Sequence, residues 1–120
     1  MDVNNRPHRK LDAWQKSMNL VKWIYEITER FPKEEIFGLT SQMRRSAISV
    51  PSNIAEGAAR RSKNEFLQFL NIAKGSLSEL DTQIELSKML HYIDEQVYSD
   101  IVIEITIIFK IISGLIKSIK

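Results

Sequence analysis

From Val97 onward, large apolar side chains recur as Val97, Ile101, Ile105, Ile108, Ile112, Leu115 and Ile119. The steps of four and three mark one face of a helix. Isoleucine and valine favour sheets, yet a strand over residues 101–119 would far exceed the usual five or six residues. Helix propensity is weak there, so tertiary packing must hold the segment helical. A chain dominated by such a segment must supply other helices to cover it.

Three earlier stretches carry the same rhythm. Leu11, Trp14, Met18, Val21, Tyr25 and Thr28 share a face over about residues 12–30, widened by Leu20, Ile24 and Ile27. Phe31-Pro32 ends that helix, because the residue before proline leaves helical geometry. The second helix spans about residues 39–59, with Thr40 or Ser41 as N-cap and Met43, Ala47, Val50 and Ile54 on one face. Pro51 lies inside it and cannot bond the Ala47 carbonyl, which predicts a bend, with Asn53 and Glu56 available to satisfy the loosened backbone. Gly57 marks the frayed end. Ser62-Lys63-Asn64-Glu65 forms a capping box that opens the third helix, about residues 63–90. The fourth starts near Asp94 or Glu95.

Four helices with short connections predict an all-α, antiparallel up-down-up-down four-helix bundle over residues 11–120, preceded by a flexible arm, residues 1–10. With the turn between the second and third helices near Arg60, position n on one lies level with 121−n on the other. Gly75 then faces Ser46 and Ala47, where small residues permit a close helix approach, and Arg44 or Arg45 reaches Glu79 for an ion pair.

Composition removes several functions. The 120 residues contain no cysteine, so disulfides, zinc–thiolate sites and cysteine nucleophiles are excluded. The two histidines, His8 and His91, lack an acid–base partner at recognisable spacing, and no phosphate-cradling glycine loop occurs. Glu79, Asp81 and Glu85 lack the histidine pattern of a metal-binding bundle. No enzyme, cofactor or metal is expected. The N-terminal segment has no apolar signal region, and Glu104 and Lys110 interrupt the apolar C-terminal helix, so a cytoplasmic protein without a membrane span is expected.

Net charge is only +2 but unevenly spread. Residues 38–61 sum to +3, whereas residues 91–100 sum to −3. Arg44, Arg45, Arg60, Arg61 and Lys63, with Arg9 and Lys10 of the arm, are candidate contacts to nucleic-acid phosphates. Structural ion pairing is the alternative role for the helix-2 arginines.

Apolar content over residues 101–120 exceeds what one buried face needs. Twelve of those twenty side chains are large and apolar, against roughly eight or nine for a bundle helix. The rows Val102, Phe109 and Ile116, and Ile103, Ile107 and Ile111, cannot all face one core. They are the candidate surface for homo-oligomerisation.

The run Phe37-Gly38-Leu39-Thr40-Ser41-Gln42-Met43-Arg44-Arg45-Ser46-Ala47-Ile48-Ser49-Val50-Pro51-Ser52-Asn53-Ile54-Ala55-Glu56-Gly57 closely resembles the signature of the bacterial proteins encoded within intervening sequences of 23S ribosomal RNA genes. Ile24-Tyr25, Thr28 and Phe31-Pro32 before it, and Ala73-Lys74-Gly75-Ser76-Leu77-Ser78-Glu79-Leu80 after it, extend the resemblance over about residues 11–115. Asp81, where many relatives carry Glu, is a minor departure. The resemblance implies an antiparallel four-helix bundle, a ring-like homopentamer and no established enzymatic activity. A more distant likeness, to the accessory protein of diversity-generating retroelements, implies nucleic acid and a reverse transcriptase as partners.

Overall fold

The computed structural model describes residues 2–120; Met1, part of the expected arm, lies outside the described residues. Four α-helices carry the fold: α1 (Asp12–Thr28), α2 (Leu39–Ala58), α3 (Lys63–Met89) and α4 (Glu95–Ile119). Backbone packing joins α1 to α2, α2 to α3, α3 to α4 and α4 back to α1, while the diagonal pairs do not meet. This is a four-helix bundle of up-down arrangement, with extents of 43 × 29 × 21 Å. Among the described residues, no helix is long and apolar enough to cross a membrane.

The helix ends follow from local chemistry. Ser62 Oγ accepts from the Glu65 amide at 3.1 Å, and Asp94 Oδ1 from the Val97 amide at 2.8 Å. Each satisfies one of the unpaired donors at a helix start. Neither Thr40 nor Ser41 caps α2. Glu35 Oε1 accepts from the Leu39 amide at 3.1 Å instead, and Thr40 is buried. Glu35 reaches this position from a 3-10 turn, Lys33–Glu35, inside the α1–α2 connection. α2 runs helical through Pro51 to Ala58.

The core holds Leu20 and Ile24 of α1, Met43, Val50 and Ile54 of α2, Leu70, Leu77, Leu80 and Ile84 of α3, and Ile101, Ile108 and Ile112 of α4. The expected face of α2 matches it. The face of α1 is rotated: Ala13, Ser17, Leu20, Ile24 and Thr28 are buried, whereas Met18 and Tyr25 are exposed. Small polar residues fit the seam because their hydroxyls bond to the helix itself, Ser17 to the Ala13 carbonyl and Thr28 to the Ile24 carbonyl, both at 2.7 Å. On α4, Ile116 is buried and Leu115 only half-buried. Ile116 therefore belongs to the core rather than to the candidate oligomer surface.

One expected contact is replaced. Gly75 is exposed, and a Cβ there would meet nothing within 4 Å. The close helix approach lies at Gly57, where a Cβ would come 2.8 Å from Phe69 Cβ and 3.0 Å from Phe66 Cδ1. Helix face explains the difference, since Gly75 lies outside the buried Ala73, Ser76, Leu77 and Leu80 stripe of α3. The register is shifted as well, with Ser49 bonding Ser76 at 2.8 Å, one turn further along α3 than position 72, where the 121−n rule puts it.

The first residues form two 3-10 turns, Val3–Asn5 and Pro7–Lys10, and the second packs against α1 and α2. His8 stands edge-on to the Trp14 ring at 5.0 Å, and Arg9 lies over it at 5.3 Å.

Candidate functional site

Up-down connectivity brings the start of α1, the α2–α3 turn and the end of α4 to one end of the bundle. That end carries Arg6, Arg9, Lys10, Arg60, Arg61, Lys63, Lys117 and Lys120 against Asp2, Asp12, Glu56 and Glu65, an excess of four positive charges. The opposite end carries Glu26, Glu29, Glu34, Glu35, Glu85, Asp94, Glu95 and Asp100 against Arg30, Lys33 and Lys88, an excess of five negative charges. Arg60 and Arg61 of the α2–α3 turn are thereby joined to the N-terminal turns, far from them in sequence.

The side chains at this basic end differ in freedom. Arg60 is tied to Glu56 at 2.8 Å and lies 5.0 Å from the centre of the Phe69 ring. Arg9 is half-buried against Trp14, and its backbone carbonyl accepts from Gln15 Nε2 at 2.7 Å. Lys10, Arg61 and Lys63 are exposed and form no ion pair among the described residues. Burial and the neighbouring Arg9 and Arg6 charges push His8 below its ordinary 6.5. At neutral pH it adds no charge to this end.

Arg44 stands apart from the other candidates. It is half-buried mid-helix, with Nε donating to Thr28 Oγ1 at 2.9 Å, Nη2 to the Tyr25 carbonyl at 3.4 Å, and the guanidinium 4.4 Å over the Tyr25 ring. It binds α2 to α1, not to Glu79. Arg45 and Glu79 do line one cleft between α2 and α3, but they form no ion pair; the ion pairs among the described residues are Arg60–Glu56 and Lys88–Glu95. The expected Arg44 or Arg45 link to Glu79 is thus absent: Arg44 is held by closer partners on α1, and Arg45, which the Ser49–Ser76 register places near the level of Glu79, stays exposed and unpaired.

The α2–α3 cleft encloses about 260 Å³. Arg45, Ser46 and Ser49 face Ser76, Glu79 and Gln83 across it. Asn53 Nδ2 donates to the Ser49 carbonyl at 2.8 Å and to Ser49 Oγ at 3.0 Å. Asn53 therefore organises this wall at the Ser49 carbonyl, not at that of Ala47, and Glu56 serves Arg60. Sequence reasoning missed Gln83. Its signal was a polar residue between Leu80 and Ser87 in the buried stripe of α3.

The surface of α4 divides. Ile103 and Ile107 are exposed, at 59% and 38%, while Val102, Phe109 and Ile111 are partly buried against the core. Lys74 Nζ lies 4.9 Å from the Phe109 ring centre. Exposed Gly114 follows Ile103, Ile107 and Ile111 at helical spacing. Among the described residues, no three histidine or acidic side chains cluster as metal ligands do.

A search of curated proteins gives no match. The solved structures include a similar bundle, a protein of unknown function from the S23 ribosomal protein family of Bacteroides thetaiotaomicron VPI-5482. It is 27% identical, with a TM-score of 0.81 over 88% of this chain and 95% of that one. The family model described as 23S rRNA-intervening sequence protein matches residues 9–114. With nearly the whole bundle covered, the chain belongs to the 23S rRNA-intervening sequence protein family.

Proposed function

We propose that the protein is a cytoplasmic, non-enzymatic, oligomeric scaffold that binds RNA or DNA through its basic end. The carrying observation is the convergence of Lys10, Arg61 and Lys63, exposed and without ion pairs, from two separate segments onto one end of the bundle. Arg60 and Arg9 flank them and lend charge from fixed positions. Phosphate contacts from such side chains release counterions and carry no sequence preference. Arg44 is a packing residue in this reading, and Arg45 lies outside the phosphate surface.

A gel shift over a salt series tests the proposal. Binding should weaken steeply with salt, and Arg61→Glu with Lys63→Glu should remove most of it, while Arg44→Lys leaves it unchanged. No retention of long RNA or DNA at low salt would favour the second reading, a protein-binding adaptor. That reading draws on the acidic end, where Phe37 is 94% and Met89 67% exposed.

Oligomerisation is part of the proposal. Ile103, Ile107 and Ile111 with Gly114 offer an apolar row with a smooth end, suited to a second copy, and the family resemblance supports a pentamer. A ring would multiply the charge of one basic end. A reverse transcriptase as partner rests on the distant resemblance alone. A bend at Pro51 is likewise proposed from the missing N–H.

A further inference from the structure

Every side chain lining the α2–α3 cleft carries a polar group. Two features set it apart from a solvated groove. Arg45 and Glu79 stand on opposite walls, oppositely charged and unpaired. Gln83 is 8% exposed, and its Oε1 is buried without a hydrogen-bond partner. An unmet buried acceptor opposes folding unless something fills it.

The inner side of the cleft is already satisfied. Asn53 holds Ser49, and Ser49 holds Ser76 at 2.8 Å. Unmet capacity remains on the open side, at exposed Arg45 and Glu79, and at the floor, at the buried Gln83 Oε1, and it is sorted by wall. The α3 wall offers acceptors, the Glu79 carboxylate and Gln83 Oε1, one helical turn apart. The α2 wall offers donors, the Arg45 guanidinium and the Gln42 amide. A guanidinium fork matches a carboxylate, and paired acceptors beside a negative charge match an ammonium.

The geometry points to a binding site for a small zwitterion of the α-amino-acid class, its carboxylate on Arg45 and Gln42 and its ammonium on Glu79 and Gln83. A bare phosphate would face Glu79. A nucleobase would find no aromatic side chain to stack on. The site sits mid-bundle, about 20 Å along α2 from the basic end. It is independent of the nucleic-acid reading.

Titrating ¹⁵N-labelled protein with glycine, the part common to the class, tests the site by amide NMR. Saturable shifts confined to residues 42–49 and 76–83, with millimolar affinity, are expected. Trimethylglycine, which keeps the carboxylate but has no N–H, should bind at least about tenfold more weakly, a difference of roughly 1.4 kcal/mol. Arg45→Gln and Glu79→Gln, both at exposed positions, should each abolish the shifts with helical circular dichroism unchanged. Equal shifts from glycine and acetate would reduce the site to an anion contact on Arg45 and overturn the assignment. So would the absence of saturable shifts. Cleft shifts that track protein concentration rather than glycine would make it a contact between copies, also against the proposal.

Discussion

A methyl group at Gly57 would press on Phe66 and Phe69, whereas one at Gly75 would project into open space. Gly57→Ala should therefore destabilise the bundle by about 1–3 kcal/mol through overpacking at the α2–α3 junction. Gly75→Ala should stabilise it by up to about 1 kcal/mol, because alanine is the better helix former. Urea unfolding of the two variants checks the contrast, and equal signs would contradict the contact geometry. Arg44 is the other residue whose surroundings set its role. Its guanidinium meets a hydroxyl, a carbonyl and an aromatic face at once, which a lysine cannot copy. Arg44→Lys should cost about 1–2 kcal/mol by the same measurement, within the range for hydrogen bonds to a charged group.

Among the elements, the α3–α4 turn has the least usual backbone. His91 has φ 62°, in the left-handed region that disfavours a side chain. The Tyr92 amide donates to the Ser87 carbonyl at 2.9 Å and the His91 amide to the Lys88 carbonyl at 3.0 Å. This closes α3 by the motif in which glycine is usual. His91→Gly should thus stabilise the protein by about 0.5–1 kcal/mol, read as a raised Tm; a lowered Tm would show that the imidazole contributes to packing. Beyond the turn, Tyr92 Oη donates to Glu35 Oε2 at 2.8 Å and pins the α1–α2 connection to the far end of α3. That hydrogen bond, then burial, raises the Tyr92 phenol above its ordinary 10.0. A raised folded-state value favours the protonated phenol, so the contribution is fully present below pH 10 and fades as pH rises through the folded value. Tyr98 is raised likewise, chiefly by its bond to Glu85. Unfolding measured from pH 9 upward should show stability falling, and Tyr92→Phe should flatten part of that fall.

For the molecule as a whole, separation of charge along the 43 Å axis is the main electrostatic feature. The basic end is the one expected to carry the salt-dependent nucleic-acid affinity. Association should use a different surface, the exposed row of α4. Ile103→Asp with Ile107→Asp should shift any assembly toward a monomer of about 14 kDa in light scattering, with helix content retained, because both side chains lie outside the core. Ile116→Asp should instead unfold the bundle, since it buries an unpaired carboxylate at a position 7% exposed. Identical behaviour of the two sets would deny the division of α4 into core and outer faces.

Apolar spacing determined the helix count and the core face of α2, and the Ser62-to-Glu65 capping box determined one cap, because these depend on interactions within one or two turns. Three things were decided only by tertiary packing. The face of α1 depends on Ala13 and Ser17, small residues that hydropathy does not mark but that a tight seam selects. The partner of Arg44 depends on which neighbouring helix offers a hydroxyl and a ring, and the register between α2 and α3 depends on how deeply Gly57 lets them meet. Nor could spacing place the N-terminal turns beside Arg61 and Lys63. That juxtaposition exists because an up-down bundle returns its second connection to the end where its first helix begins.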